Sequence, residues 1–329
     1  MPRTIQKKRH HFVPATYLRR FVDPEGFVNV VRKAEHTVNL RSKPTETGFR
    51  NFYYSQPVVG GPQNNNALED LFSKFEETWP QIAQSLESNE SANSALSGLM
   101  TFIGFQRVRV PAFRDAIEQA MAHYARSGFD QLRLAGALPP PPPEFPDLMD
   151  HVAITIDPHQ SIHGMTALLR QLGPILDSFG YSIIHNESEF EFITSDNPVS
   201  YYTSSLASGE MAPYLLIPRR RWELVFPISP KTAVFGCTAD RSRFRVHGLR
   251  HLRCRSASRV RDMNEVIARF AYEAYFSRAA LPQSFTGRFA QQSPVLAPDF
   301  PGFGPDNYTM PRFVFGERKG LMKWKPGRN

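Results

Sequence analysis

Between Lys7 and Phe21 the chain runs Lys-Lys-Arg-His-His-Phe-Val-Pro-Ala-Thr-Tyr-Leu-Arg-Arg-Phe, and this stretch constrains the fold more than any other. Phe12, Val13, Tyr17, Leu18 and Phe21 crowd a short segment, and together they present more apolar surface than a soluble chain leaves in water. The segment must therefore dock into the core. It carries His10 and His11 with it, behind a basic arm. Histidine changes charge near neutral pH and is the commonest metal ligand, so the pair marks a candidate site.

Composition narrows the class. The chain has 329 residues, 41% hydrophobic and 21% charged, enough for a large core without covalent staples. Cys237 and Cys254 are the only cysteines, too few for a disulfide framework, so a reducing cytoplasm is the expected setting. No run approaches about eighteen apolar residues, and no apolar segment follows the basic N-terminus. Neither a membrane span nor a signal peptide is expected. The net charge is +8, with arginines clustered at 219–221 and again from Arg241 to Arg261. Such a balance attracts polyanions, so nucleic acid or a nucleotide is one reading of the partner. A solvated, solubilising face is the other.

Periodicity organises the rest. Leu68, Leu71, Phe72, Phe75, Trp79, Ile82 and Leu86 recur at helical spacing over Ala67 to Leu86, with Pro80 as a kink or split. A second helix is predicted from about Ser94 to Arg126, bent at Pro111, and a third from Ser161 to Phe179. Strands are predicted over Gly26–Val31 and Phe49–Tyr54. Tyr181–His185 and Phe190–Thr194 read as a hairpin around Asn186–Glu189, and Trp222–Phe226 with Thr232–Phe235 as another strand pair. A closing helix is predicted over 260–276. The expectation is an α+β protein, a helical bundle portion packed with a mainly antiparallel sheet. A single domain spans 1–280, helix-rich over 67–180 and strand-rich over 181–258, with a proline-rich insert at 138–146. The Pro/Gly/Phe-rich tail, 281–329, wraps the surface or is partly mobile.

Several polar residues fall on apolar faces. Gln106 lies in the row Leu99, Ile103, Val110, Phe113, where a buried amide without partners costs about 1–3 kcal/mol. It is either a structural hydrogen bond or part of a site, and Arg109 sits one turn on. Glu76 borders the face of Phe72, Phe75 and Trp79, as a metal ligand or base, or as a rim carboxylate paired with Lys74 or another cation. Asn264 faces inward among Val260, Met263 and Ile267, read as a second amide in the same core as Gln106. Ser195-Asp196-Asn197-Pro198 closes a strand, either presenting a ligand site or forming a turn.

These blocks resemble a bacterial family of unknown function, domain of unknown function 4238. Its His-His-x-x-Pro-x-x-Tyr-Leu-Arg-x-Phe signature reads here as His10, His11, Pro14, Tyr17, Leu18, Arg19 and Phe21. A glutamate at the Glu76 position, Gln106-x-x-Arg109 before Pro111, Ser195-Asp196-Asn197-Pro198 and Pro227-Ile228-Ser229-Pro230 follow in the family's order.

No Walker loop, Gly-x-Ser-x-Gly elbow, His-Glu-x-x-His or Cys-x-x-Cys is present. The preferred expectation is a hydrolase acting on phosphodiesters, nuclease-like, in a bacterial toxin or phage-defence setting. His10, His11, Glu76, Gln106, Arg109 and Asp196 would share one catalytic cleft, and Arg19, Ser195, Asn197 and Asn264 would bind substrate. A divalent metal ion would sit on His10, His11, Glu76 and Asp196; in a metal-free route, histidine is the acid or base and Arg109 binds phosphate. The alternatives are a non-catalytic nucleic-acid or nucleotide-binding module and an interaction scaffold.

Overall fold

The apolar N-terminal block docks as its composition demands: Phe12, Val13, Tyr17, Leu18 and Phe21 are all buried. The structure, a computed structural model, describes residues 7–58, 61–88, 92–204, 211–214, 220–297, 311–320 and 323; Arg219 of the arginine triplet lies outside them. The block does not start as a helix. Arg9–His11 forms strand β1 and only Ala15–Leu18 forms helix α1. Val13 precedes Pro14, and the residue before a proline is driven out of the α region.

Strands β2 (Val28–Arg32), β3 (Leu40–Ser42), β4 (Phe49–Asn51), β5 (Gln56–Val58) and β6 (Gly61–Asn64) follow. β1 pairs antiparallel with β4, placing His10 opposite Arg50 and His11 opposite Phe49. Gly48 makes this possible. Its carbonyl accepts the Phe12 and Val13 N–H groups at 2.9 and 3.0 Å. Its φ of +68° and a Cβ position only 3.1 Å from Val13 make any larger residue strained here.

Helix α2 (Ala67–Glu87) runs through Pro80 without ending. The predicted second helix is two, α3 (Leu96–Arg109) and α4 (Pro111–Leu134), broken at Val110 with ψ 153°. Pro111 forces its predecessor to extend and then starts α4 at the position a proline favours. The proline run 139–143 is largely exposed before the short α5 (Leu148–His151), and α6 (Pro158–Leu176) returns to the core.

The remaining strands are β7 (Gly180–Asn186), β8 (Thr194–Ser195), β9 (Ser200–Ser204), β10 (Met211–Pro213), β11 (Trp222–Ser229) and β12 (Thr232–Cys237). Helix α7 (Arg241–His247), β13 (Arg250–Cys254), α8 (Ala257–Phe270), β14 (Ala274–Ser277), α9 (Gln283–Arg288), β15 (Ser293–Ala297) and β16 (Arg312–Gly316) complete the described chain. A six-stranded sheet has the order β10-β9-β11-β12-β7-β13, antiparallel except for β13 beside β7. A four-stranded antiparallel sheet has the order β3-β2-β14-β8. The fold is thus α+β with mainly antiparallel sheets.

Alternation along the six-stranded sheet feeds two cores. Ile183, Leu224, Phe226 and Val234 face the N-terminal block, α2 and α3; Ile184, Val225 and Ala233 face α8. A third cluster, including Phe72, Val108, Phe113, Met165 and Tyr272, lies among the helices. No helix of the described residues is long and apolar enough to cross a membrane.

Two predicted elements differ. Phe190–Thr194 does not pair back on β7, which takes β12 and β13 as neighbours. The Asn264 amide instead ties the backbone of 191–193 to α8: its Oδ1 accepts the Ile193 N–H at 3.1 Å, and its Nδ2 donates to the Glu191 carbonyl at 2.8 Å. The closing helix ends at Phe270 and not at 276, because Asp196 captures the next free N–H groups, those of Tyr272 and Glu273, and β14 begins at Ala274. In the tail, β15 and β16 pair antiparallel.

Candidate functional site

The sequence-predicted residues separate into two places. The first is a closed network beneath the N-terminal block. His10 is wholly buried in β1 and uses both ring nitrogens: Nδ1 accepts the Tyr54 N–H at 2.8 Å, and Nε2 lies 3.1 Å from the Lys7 carbonyl. Those partners require a neutral ring protonated on Nε2. Burial lowers its pKa, which fits that state. The ring also stacks on Tyr54. His11 is half-buried against Phe49, and burial, with the Arg109 charge beside it, pulls its pKa down to about 4.

Arg109 is the hub. It is 2% exposed, donates to Glu76 Oε1 at 2.8 Å and to the His11 carbonyl, and lies over the Phe72 ring. Glu76 is therefore a rim carboxylate paired with a cation, and that cation is Arg109 in place of Lys74. Gln106 donates to the Phe12 carbonyl at 2.9 Å. Its amide and that of Asn264 serve different cores, contrary to the expectation of a shared one. The phase on α3 was right, but α8 packs against the opposite face of the sheet.

The network contains a residue the sequence reading passed over. Glu69, on α2, is buried with one carboxylate oxygen unpartnered among the described residues, and burial pushes its pKa up to about 7. A carboxylate raised above its ordinary value of 4.5 favours folding below that value and loses the contribution as pH rises through about 7. Glu69→Gln should thus leave stability nearly unchanged at pH 5 and raise it by on the order of 2 kcal/mol at pH 8, read by urea unfolding. Equal effects at the two pH values would show that Glu69 is not the titrating group.

The second place is an open cleft of about 780 Å³, lined by residues that include Arg32, Lys33, His36, Arg50, Asp196, Glu273 and Arg318. Of the six predicted catalytic residues only Asp196 lines it. Asp196 is 1% exposed and accepts the Tyr272 and Glu273 N–H groups at 2.7 and 2.6 Å. Burial, with the Glu273 carboxylate next to it, raises its pKa to about 6; Lys33 opposes this. Lys33, 6% exposed, donates to the Gln292 carbonyl and lies 3.3 Å from Ser293 Oγ. Burial draws its pKa down to about 7, against the pull of Asp196. In the same cleft, Arg50 and Arg318 both bind Glu273 Oε1, at 2.6 and 2.9 Å, and Arg318 lies over the Tyr272 ring.

The other predicted residues serve elsewhere. Ser195 Oγ accepts the Asn197 N–H at 3.2 Å, and Asn197 Nδ2 donates to Tyr214 Oη and the Phe270 carbonyl at 2.6 and 2.7 Å. Asn264 is the backbone clip described above. Arg19 is exposed beside Thr16, Arg20 and Pro80, outside the cleft lining. His10, His11, Glu76 and Asp196 do not form a ligand set: His10 and Glu76 have their own partners in the closed network, and Asp196 lines the separate cleft. Among the described residues no group of three or more His, Cys, Asp or Glu side chains is placed to hold a metal ion.

Lys33, Arg50, Glu273 and Arg318 were missed for identifiable reasons. Lys33 directly follows the short β2 and Arg50 is the middle residue of the three-residue β4, where a charge reads as exposed. Glu273 fell inside a helix predicted too long, and Arg318 lies in the tail. The one available signal was local: Arg50 interrupts the aromatic run Phe49–Tyr54.

Comparison with known proteins gives a family and nothing closer. The family described as "Protein of unknown function (DUF4238)" matches residues 9–280, while no curated protein and no solved structure matches the chain. The matched segment takes in the histidine block, the Gln106–Arg109 element and the Ser195–Pro198 turn, and the chain belongs to this family of proteins of unknown function.

Proposed function

We propose that the cleft binds a phosphate group and that the chain hydrolyses phosphodiesters there. The observation that carries this reading is the convergence of Arg50 and Arg318 on one carboxylate oxygen in a cleft that also holds the buried Asp196 and Lys33. Guanidinium groups fork onto phosphate oxygens as they do onto carboxylates, so a phosphodiester would take the place of Glu273 as their partner. Burial raises the Asp196 pKa and lowers that of Lys33, which moves both toward the range where one group can take a proton and the other give one. In hydrolysis, water attacks phosphorus and the ester P–O bond breaks. Asp196 accepts the proton of the water, and the Lys33 ammonium supplies one to the departing oxygen.

One observation favours a second reading. Both Asp196 oxygens already accept backbone N–H groups, and Lys33 is held by Gln292 and Ser293. A pair so engaged suits a nucleotide-binding module without turnover.

The test is hydrolysis of bis(4-nitrophenyl) phosphate and of short oligonucleotides by the wild type and by Arg50→Ala. Arg50 and Glu273 are about a third exposed, so the substitution should cost less than about 1 kcal/mol of stability. Its kcat/KM should fall about 10²-fold. Nucleotide binding that Arg50→Ala abolishes, with no turnover in the wild type, would establish the binding module instead. Turnover unaffected by the substitution would move the chemistry out of the cleft.

A further inference from the structure

The segment from Arg241 to Arg261 holds eight arginines and two histidines and not one acidic residue. Folding keeps this charge together. The segment forms α7, the edge strand β13 and the start of α8, so it wraps one edge of the six-stranded sheet. Arg243, Arg245, Arg253, Arg255, Arg259 and Arg261 are exposed. Glu187 binds Arg253 and Arg255, whose side chains remain 71% and 77% exposed; the other four form no ion pair among the described residues. Two aromatic rings lie among these guanidiniums: Arg261 is over Phe190, itself 37% exposed, at 4.8 Å, and Arg259 is 5.9 Å from the Phe235 ring.

We propose that this edge is a binding surface for single-stranded nucleic acid, separate from the cleft. None of its six arginines lines the cleft, and the inference stands whether or not the cleft hydrolyses anything. A solubilising face needs charge of either sign and no rings. A strand of nucleic acid needs a track of cations for its phosphates and flat surfaces for its bases. Arginine serves both needs, since its planar head binds phosphate and stacks, and arginine is the sole cation in this segment apart from histidine. The edge position suits an extended ligand, because among the described residues β13 has no strand neighbour beyond it.

The experiment is fluorescence anisotropy with a labelled single-stranded RNA, using the full chain. Wild-type affinity should fall at least about 10-fold between roughly 50 and 200 mM salt, from counterion release. The variant R253A/R255A/R259A/R261A should bind at least about 10-fold more weakly with a shallower salt slope. Its four sites are exposed, so circular dichroism should show an unchanged fold. R20A/R41A/R126A/R133A, which lowers the net charge equally on other elements, should keep most of the affinity, and so should R50A in the cleft. The proposal is overturned if the wild type does not bind, if both quadruple variants lose binding equally, or if R50A alone removes it. Tighter binding to phosphatidylserine vesicles than to RNA would also overturn it.

Discussion

Asp196→Ala should destabilise the protein by about 3–5 kcal/mol, the largest loss expected from any single substitution in the cleft. The carboxylate satisfies two buried N–H groups at the point where α8 has ended and β14 has yet to begin. Alanine leaves both unpaired, at about 1–3 kcal/mol each, and leaves Lys33 without the opposite charge that sustains its ammonium. One effect runs the other way. Asp196 is held ionised above a pKa of about 6 in a site that disfavours charge, so its removal also relieves a cost of roughly 2–3 kcal/mol at neutral pH. The unpaired backbone and the void outweigh that relief. Asparagine is no rescue, since its Nδ2 would point a donor at a donor. Urea unfolding decides the matter: a loss below about 1 kcal/mol would mean that Asp196 does not anchor this turn.

Asp196 holds backbone as well as facing the cleft. Activity loss in Asp196→Ala alone is therefore uninformative about catalysis, and Arg50→Ala is the cleaner probe. A cycle with Lys33→Met adds information. The two side chains carry opposite charges in one cleft and each shifts the titration of the other, so their losses should be non-additive by about 1–3 kcal/mol.

What the sequence made legible was whatever a local period or a local composition encodes. α2 and α6 stand near where their apolar rows placed them, and Pro111 broke its helix because the steric rule for the preceding residue is local. The docking of Phe12 to Phe21 followed from apolar surface alone. The errors came where a distant side chain overrode the local pattern. Asn264 pulls 191–193 off the hairpin that their turn residues suggested. Asp196 ends a helix that the apolar row extends six residues further. Neither is visible in a window of ten or fifteen residues.

The site follows the same logic. Polar residues on apolar faces were found correctly, for Gln106, Arg109 and Asn264 are all buried. Burial did not mean function in each case, because a buried polar group needs a partner whatever its role. Each of the three makes a hydrogen bond to a backbone carbonyl or N–H group of a neighbouring segment. The cleft, by contrast, is assembled from β2, β4, the start of β14 and the tail, which only the long-range sheet pairing brings together.

Arg109→Ala should rival Asp196→Ala, at about 3–5 kcal/mol, although Arg109 lies outside the cleft. Its guanidinium joins α3 to Glu76 on α2 and to the His11 carbonyl of the N-terminal block, with Phe72 beneath it. Alanine removes all three contacts and opens a cavity of most of a side chain. It also takes away the nearest cation from Glu69 and Glu76. Glu69 then titrates still higher, because burial continues to raise its pKa while the opposing charge is gone. Lysine keeps the charge but offers a point where the site is built for a fork, so Arg109→Lys should cost about half as much. The histidine pair reports the change directly. His11 is held down to about 4 by burial first and by Arg109 second, so in a folded Arg109→Gln variant its titration, followed by NMR, should move upward. His10 owes its lowered value to burial and Lys7 and should not follow. Movement of both, or of neither, would mean that Arg109 is not the charge that sets His11.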